Sequence, residues 1–279
     1  GIDFIYNAEA CNKLNTLLLE QRPDIVHFHN IYHQLTPALI GVAKRFGCKT
    51  VLTAHDYKIV CPSYTMLRDG HVCDDCLTGS VSNAFRHRCQ QGDTFKSLLL
   101  SLEAYWQKFA QNYAMLDCII APSEFMRQTL LRKLPRSRID VIVNGIDAST
   151  TIPGDTAGDY FLYIGRLSRE KGVATLALAQ QKMQQSMPLK IVGDGPLGSD
   201  LRARFSGPEF LGYMRHGDAL NALIRGARAV IVPSEYYENC SMSVLEAMAF
   251  GRPVVGGNIG GIPEQIRDGI DGYLVEPGD

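Results

Sequence analysis

Residues 233–279 read PSEYYENCSMSVLEAMAFGRPVVGGNIGGIPEQIRDGIDGYLVEPGD and follow directly on the apolar run ARAVIV. That run is short and ends in turn residues, as a buried parallel strand does, and a helical pattern opens near Ser241. A strand that hands over to a helix aims the helix's unbonded N–H groups beyond the strand's carboxyl end, where they suit phosphate. Ser241, Met242 and Ser243 occupy that helix mouth. Glu238 stands just before it, and Glu246 follows eight positions later, one to two turns inside. The pair can address one ligand at two points, such as the hexose hydroxyls and the ribose diol of a sugar nucleotide. Taken singly, each also reads as an ordinary helix-start charge or a solvated face residue.

Outward from this stretch, short apolar runs at 160–164, 189–192, 209–211, 253–255 and 272–275 alternate with helical patterns. The first half repeats the alternation, with runs at 24–29, 50–54, 117–121 and 139–143. This predicts an α/β protein with parallel sheets covered by helices. Residues 144–159, NGIDASTTIPGDTAGD, have little to bury and read as a linker. Two Rossmann-like domains are expected, 1–150 and 151–279, and 279 residues accommodate them at about 100–200 residues each. The first opens on a helical pattern at Glu9–Glu20 with no strand before it, and the second stops at YLVEPGD, where a helix should begin. The expectation is a fragment truncated at both ends.

Composition narrows the function. With 46% hydrophobic and 20% charged residues, disorder, collagen and coiled coil are excluded. Lys and Arg number 28 against 29 Asp and Glu, a net charge of −1, so no global field favours nucleic acid. No run of about 18 apolar residues occurs. The chain opens on Gly1 without a secretory pattern, which sets a cytoplasmic expectation and a reducing setting for eight cysteines. Cys11, Cys48, Cys118 and Cys240 sit among apolar neighbours and read as core thiols.

The spacing of Glu238 and Glu246, followed by EAMAFGRPVV, GGIPE and DGIDGYLVEPGD, resembles glycosyltransferase family 4, the retaining enzymes of GT-B architecture. FLYIGRLSREKG at 161–172, KIVGDGPL at 190–197 and EFLGYM at 209–214 resemble the family's donor-side strands and turns. In the first half DIVHFHN, TVLTAHDY, IIAPSEFM and VIVNGID fall in the family's order. The resemblance implies a GT-B fold, two Rossmann-like domains facing across a cleft. It also implies metal-independent transfer of a hexose-type sugar from a nucleoside diphosphate sugar to a glycan or lipid-linked acceptor, in polysaccharide or glycoconjugate biosynthesis. No cofactor is implied for catalysis.

Carried over by position, Arg166 and Lys171 would neutralise the donor diphosphate, with Gly165, Gly193 and Gly195 in the turns that approach it. Fixed cations aimed at a growing leaving-group charge are the main electrostatic lever for such a reaction. Glu246 would take the ribose hydroxyls, Glu238 the transferred sugar, and His55 would lie across the cleft near the acceptor hydroxyl. No residue looks like a covalent nucleophile, so the resemblance implies front-face displacement assisted by the leaving phosphate. Where the commonest family pattern has Gly-Phe-Gly, this chain has Asn239, Cys240 and Ser241, so a different backbone is expected there. The glycine-rich loop after the acceptor domain's first strand is missing. A non-catalytic nucleotide-binding GT-B protein and a nucleotide-sugar epimerase are the rival readings.

Gly193, Gly195 and Gly198 spell the dinucleotide fingerprint, but Pro196 lies in the turn and no acidic residue ends the next strand, which speaks against a nicotinamide enzyme. His27 and His29 share one strand face without a carboxylate or Cys nearby in sequence, a poor metal set, although His29 and Asn30 stand where a cleft forms.

A Cys-rich insertion spans 57–92, between the strand ending at Ala54 and a helix expected over 94–115. Cys61, Cys73, Cys76 and Cys89 are spaced C-x11-C-x2-C-x12-C, close to a zinc knuckle. A long loop without secondary structure of its own needs such a staple, and a closed structural zinc would supply it; reduced thiols and disulfides are the other readings. Arg127, Arg132, Lys133, Arg136 and Arg138 surround a helix that also carries Phe125, Leu130, Leu131 and Leu134. Such a helix can rest on anionic lipid at the inner face of a membrane, or simply turn one face to the core.

Overall fold

The computed structural model describes residues 4–147, 153–154, 158–185 and 187–279. The chain divides between Val143 and Asn144 into two compact units. Of the expected linker, 148–152 and 155–157 lie outside the described residues.

The first unit opens with α1 (Ala8–Gln21), whose amino end is closed by Asn7: its Oδ1 accepts the Ala10 amide at 2.9 Å. β1 (Ile25–His29), α2 (Ala38–Arg45) and β2 (Lys49–Thr53) follow. Residues 57–92 then contain a small hairpin, β3 (Leu67–Arg68) with β4 (His71–Val72), and two one-turn helices, α3 (Asp75–Thr78) and α4 (Asn83–Arg86). This corrects the expectation of a loop without secondary structure. α5 (Thr94–Phe109), β5 (Cys118–Ala121), α6 (Glu124–Leu131) and β6 (Ile139–Val141) complete the unit. The helix expected to run to Met115 stops at Phe109. Gln111 takes φ 54°, reversing the chain into a separate 3₁₀ turn at Asn112–Met115. The sheet is parallel throughout, in the order β1-β2-β5-β6.

Asp117, just ahead of β5, ties that sheet together. Its Oδ2 accepts from Lys44 Nζ at 2.9 Å, from the Thr50 amide at 2.8 Å and from Thr50 Oγ1 at 3.0 Å. Lys44 first, then the Thr50 amide, hold its carboxyl well below the usual aspartate range. A depressed carboxyl stabilises the fold above the pH where the unfolded chain titrates, and that stabilisation fades as acid approaches the folded value. Asp117→Asn is therefore expected to cost about 1–2 kcal/mol near neutrality. The difference from wild type should begin to narrow below about pH 4, where the unfolded chain titrates, and close only as acid approaches the much lower folded value. Urea unfolding followed at Trp106, the only tryptophan, measures this in the first unit; an unchanged gap at low pH would contradict it.

The second unit runs β7 (Phe161–Ile164), α7 (Val173–Lys182), β8 (Leu189–Val192), α8 (Gly198–Arg204), β9 (Glu209–Gly212), α9 (Asp218–Arg225), β10 (Ala229–Val232), α10 (Met242–Ala249), β11 (Val254–Gly257) and β12 (Gly272–Val275). Its six parallel strands are ordered β12-β11-β10-β7-β8-β9. β10 is buried at every position, as a strand covered on both faces must be. Alternation along β7 sends Leu162 into a core with Val230, Val244 and Val254, and Tyr163 into a second core with Ile191, Val173 and Leu201. Among the described residues, no helix is long and apolar enough to cross a membrane.

Candidate active site

The strand order of the second unit places its first strand, β7, beside its fourth, β10, and the chain leaves the two in opposite directions. The loops after them diverge, and a crevice opens at their carboxyl ends. The loop after β7 carries Gly165, Arg166 and Lys171; the loop after β10 carries Glu238 and leads into α10. Gly172 is the clamp between them. It takes φ 66°, and a Cβ there would stand 1.8 Å from the Pro233 carbonyl oxygen, so only glycine lets the loops touch.

That contact delivers Lys171 to the second loop. Its Nζ lies 2.6 Å from Glu238 Oε1 and 4.9 Å from the centroid of the Tyr236 ring. Glu238 is buried, and its Oε1 also accepts from Ser234 Oγ at 2.9 Å while Oε2 accepts from the Tyr236 hydroxyl at 2.9 Å. Burial, then the Glu238 charge, raise the Tyr236 hydroxyl far above its ordinary range, so it remains a donor. A carboxylate held by one cation and two hydroxyls is fixed in place, and any incoming anion that engages Lys171 must compete with Glu238.

Arg166 is exposed and has no ion-pair partner among the described residues. It lines a cavity of about 300 Å³ together with Gly165, Gly193, Asp194, Tyr213 and His216. Gly193 and Gly195 act through backbone approach. A Cβ on Gly193 would lie 1.9 Å from the Gly165 oxygen, and one on Gly195 would lie 2.4 Å from the Leu167 oxygen. The two turns are joined by Leu167 N–H to Asp194 O at 3.0 Å and Leu197 N–H to Leu167 O at 2.9 Å.

α10 begins at Ser241, which makes no side-chain cap. The Ser241 amide is not open as expected: it donates to Gln265 Oε1 at 2.8 Å, and Gln265 Nε2 returns a bond to the Ser241 oxygen at 3.1 Å. The Ser243 hydroxyl donates to the Ile164 oxygen at 3.0 Å, tying the helix to the end of β7, while Met242 is exposed. Neither Asn239, Cys240 nor Ser241 takes a positive φ, so the departure from glycine leaves no backbone strain. Glu246, one turn past Met242, is mostly buried and lies 3.7 Å from His216 Nδ1. Burial raises its carboxyl above the ordinary glutamate range, with the neighbouring His216 pulling the other way. His216 joins Glu246 to the cavity that Arg166 lines. Tyr236, Ser234 and His216 were not picked out from sequence; Tyr236 and Ser234 lie within four positions of Glu238, which was the available signal.

His55 belongs to the first unit, exposed just after β2. Its Nε2 lies 2.8 Å from His29 Nδ1, and the two rings stack at 5.1 Å. His27, on the same face of β1, lies 2.8 Å from Thr53 Oγ1. Burial, followed by repulsion from His29, lowers the His55 ring below the usual histidine range.

The expected zinc site is corrected. Cys61, Cys73, Cys76 and Cys89 are free thiols, and no three His, Cys, Asp or Glu side chains among the described residues stand together in a way that could hold a metal. Burial, then the neighbouring Cys61, push Cys76 up to about 12 and Cys89 to about 11. Polar anchors replace the metal staple: Ser101 Oγ on α5 donates to the Val81 oxygen and accepts the Phe85 amide, both at 3.1 Å.

A doubly wound sheet with cations and carboxylates gathered at its switch point defines the second unit as an α/β ligand-binding module. Family models match both halves: Glycosyltransferase Family 4 over residues 3–150 and Glycosyl transferases group 1 over 158–279. The chain belongs to this glycosyltransferase family, and its fold is GT-B. It is 29% identical over 187 residues to alpha-maltose-1-phosphate synthase of Mycolicibacterium smegmatis, covering 57% of this chain and 48% of that one. It is 30% identical over 187 residues to lipopolysaccharide 1,2-N-acetylglucosaminetransferase of Salmonella typhimurium, covering 57% and 49%. The chain thus spans about half the length of these curated relatives. The Anabaena protein Alr3699/HepE, solved with UDP, superposes with a TM-score of 0.63 at 20% identity, over 96% of this chain and 68% of that one. It has also been solved with UDP-glucose.

Proposed function

We propose that this chain carries the donor-binding and acceptor-side units of a retaining glycosyltransferase. It transfers a hexose-type sugar from a nucleoside diphosphate sugar to a glycan or lipid-linked acceptor, in polysaccharide or glycoconjugate biosynthesis on the cytoplasmic side. The carrying observation is the Lys171–Glu238 pair at 2.6 Å in the crevice whose adjoining cavity Arg166 lines. A buried acid and two cations at a switch point suit a ligand with sugar hydroxyls on one side and phosphates on the other. Family membership and the UDP-glucose complex of the Anabaena relative support the same ligand class.

In this reading the diphosphate engages Arg166 and Lys171 and lies toward the first turn of α10 at Met242 and Ser243. Glu238, released from Lys171, accepts hydroxyls of the sugar. The bond from the anomeric carbon to the phosphate oxygen breaks with its electron pair going to the diphosphate, and the acceptor hydroxyl adds from the same face. Its proton passes to the leaving phosphate oxygen. His55 serves the acceptor side. Glu246 accepts the ribose hydroxyls through its carboxylate.

Screening UDP, GDP and ADP sugars for thermal stabilisation tests donor binding, since a ligand of the native state raises Tm with occupancy. Failure of all three, at concentrations where a relative responds, would remove the reading. Because the Glu246 carboxyl is raised, it gains its proton earlier on acidification than an ordinary glutamate, and the charged acceptor is lost. Nucleotide affinity is expected to fall with pH in wild type and to stay flatter in Glu246→Gln, which binds about 10-fold or more weakly at pH 7.5. Calorimetric titration at two pH values measures both. Equal pH slopes would place the ribose elsewhere.

A further inference from the structure

α5 is an amphipathic helix mounted the reverse of the usual way. Its buried side carries Ser97, Ser101, Glu103 and Gln107, with only Leu100 as an apolar partner. Facing out are Phe95 at 67% exposure, Leu102 at 48%, Phe109 at 81%, and the half-exposed Tyr105 and Trp106. At helical spacing these five fall within an arc of about 100°.

The orientation is held by specific bonds, so the apolar stripe has no alternative inward setting. Ser97 Oγ donates to the Asp93 oxygen at 2.6 Å and accepts the Gln90 amide at 3.0 Å. Glu103 pairs with buried Lys58 at 2.8 Å, and Gln107 Oε1 accepts from Asn112 Nδ2 at 2.5 Å. Rotating the helix would break every one of these and leave the Lys58 ammonium unpaired in a dry interior.

Charge identifies the occupant. Lys96 and Lys108 stand on the two shoulders of the stripe, and Arg132 and Lys133 lie beside Lys108 along a cavity of about 660 Å³. Lys133 feels both Lys108 and Arg132, and neither Lys108, Arg132 nor Lys133 has an ion-pair partner among the described residues. The only acid on the stripe's own helix is the buried Glu103. An apolar stripe with Trp and Tyr at its edge and cations on its shoulders matches the interface of a bilayer rich in anionic lipid.

We infer that the outer face of α5 is a membrane-docking surface, with Phe95, Leu102, Trp106 and Phe109 among the acyl chains of an anionic bilayer and Lys96 and Lys108 on its phosphates. This surface is separate from the lipid contact expected on the 125–134 helix, and the inference holds independently of the proposed sugar transfer.

Trp106 is the only tryptophan, so the chain reports on the contact itself. Vesicles of phosphatidylcholine with about one third phosphatidylglycerol are expected to shift its emission to the blue, and brominated acyl chains to quench it. Pure phosphatidylcholine should do so much less, and about 0.5 M salt should reverse part of the effect. Leu102→Ser with Phe109→Ser removes two exposed side chains without touching the inner bonds. Partitioning in co-sedimentation should drop at least about 10-fold, with Tm unchanged. Absence of both shift and co-sedimentation in wild type would overturn the inference, as would undiminished binding by the double variant. A concentration-dependent shift without lipid, accompanied by dimers in sedimentation velocity, would assign the face to a second copy instead.

Discussion

Lys171→Met is expected to lower sugar transfer by about 10²–10³-fold in kcat while weakening nucleotide binding by about 10-fold or less. The asymmetry follows from where the charge grows. In the proposed ground state the diphosphate already shares its charge with Arg166 and the first turn of α10. Only as the anomeric bond breaks does the leaving oxygen gain the charge that a fixed cation stabilises most. Lys171 is positioned for that role by the Gly172 contact and by Glu238, which holds its Nζ at 2.6 Å. The lysine is only partly buried, so methionine can occupy its place without collapse of the loop. Stopped assays of sugar release and calorimetric titration on the same preparation separate the two quantities. Equal losses in both would make Lys171 a binding residue alone, and unchanged turnover would dismiss the proposed phosphate handling.

Lys58→Met is expected to destabilise the first unit by about 3–5 kcal/mol, and Lys58→Met with Glu103→Leu to recover most of that. Lys58 and Glu103 are 3% and 1% exposed and 2.8 Å apart, and Lys58 Nζ also donates to the Pro62 oxygen at 3.0 Å. Removing the lysine strands a carboxylate whose Oε1 has no hydrogen-bond partner. Removing both charges abolishes the desolvation cost as well as the attraction. Because Trp106 lies one turn from Glu103, its fluorescence during urea unfolding reads this unit directly. A cost below about 1 kcal/mol for the single variant would mean that water reaches the pair.

The strands of the two parallel sheets are legible because each is a local signal, a short and largely apolar run between turns, and the helix start at Ser241 is legible for the same reason. The 57–92 segment is far less legible. Its hairpin and one-turn helices are too short to leave a periodic pattern, and its cysteine spacing resembles a metal set, although no three such side chains among the described residues are arranged to hold a metal. Nothing local announces Gln265, 24 residues on, as the acceptor of the Ser241 amide.

Read alone, the chain determines a pair of parallel α/β sheets, the loops that end them and the residue types those loops carry, since burial pattern and turn chemistry act over a few residues. Which of those residues meet was decided by tertiary structure. Lys171 reaches Glu238 across 67 positions because β7 and β10 are neighbours, and His216 reaches Glu246 because α10 packs beside α9. The same holds for α5, whose periodicity predicts an apolar face but not that its polar face is the one held inside. That choice rests on a lysine 45 residues earlier and a serine–carbonyl bond to Val81, contacts that only the folded chain creates.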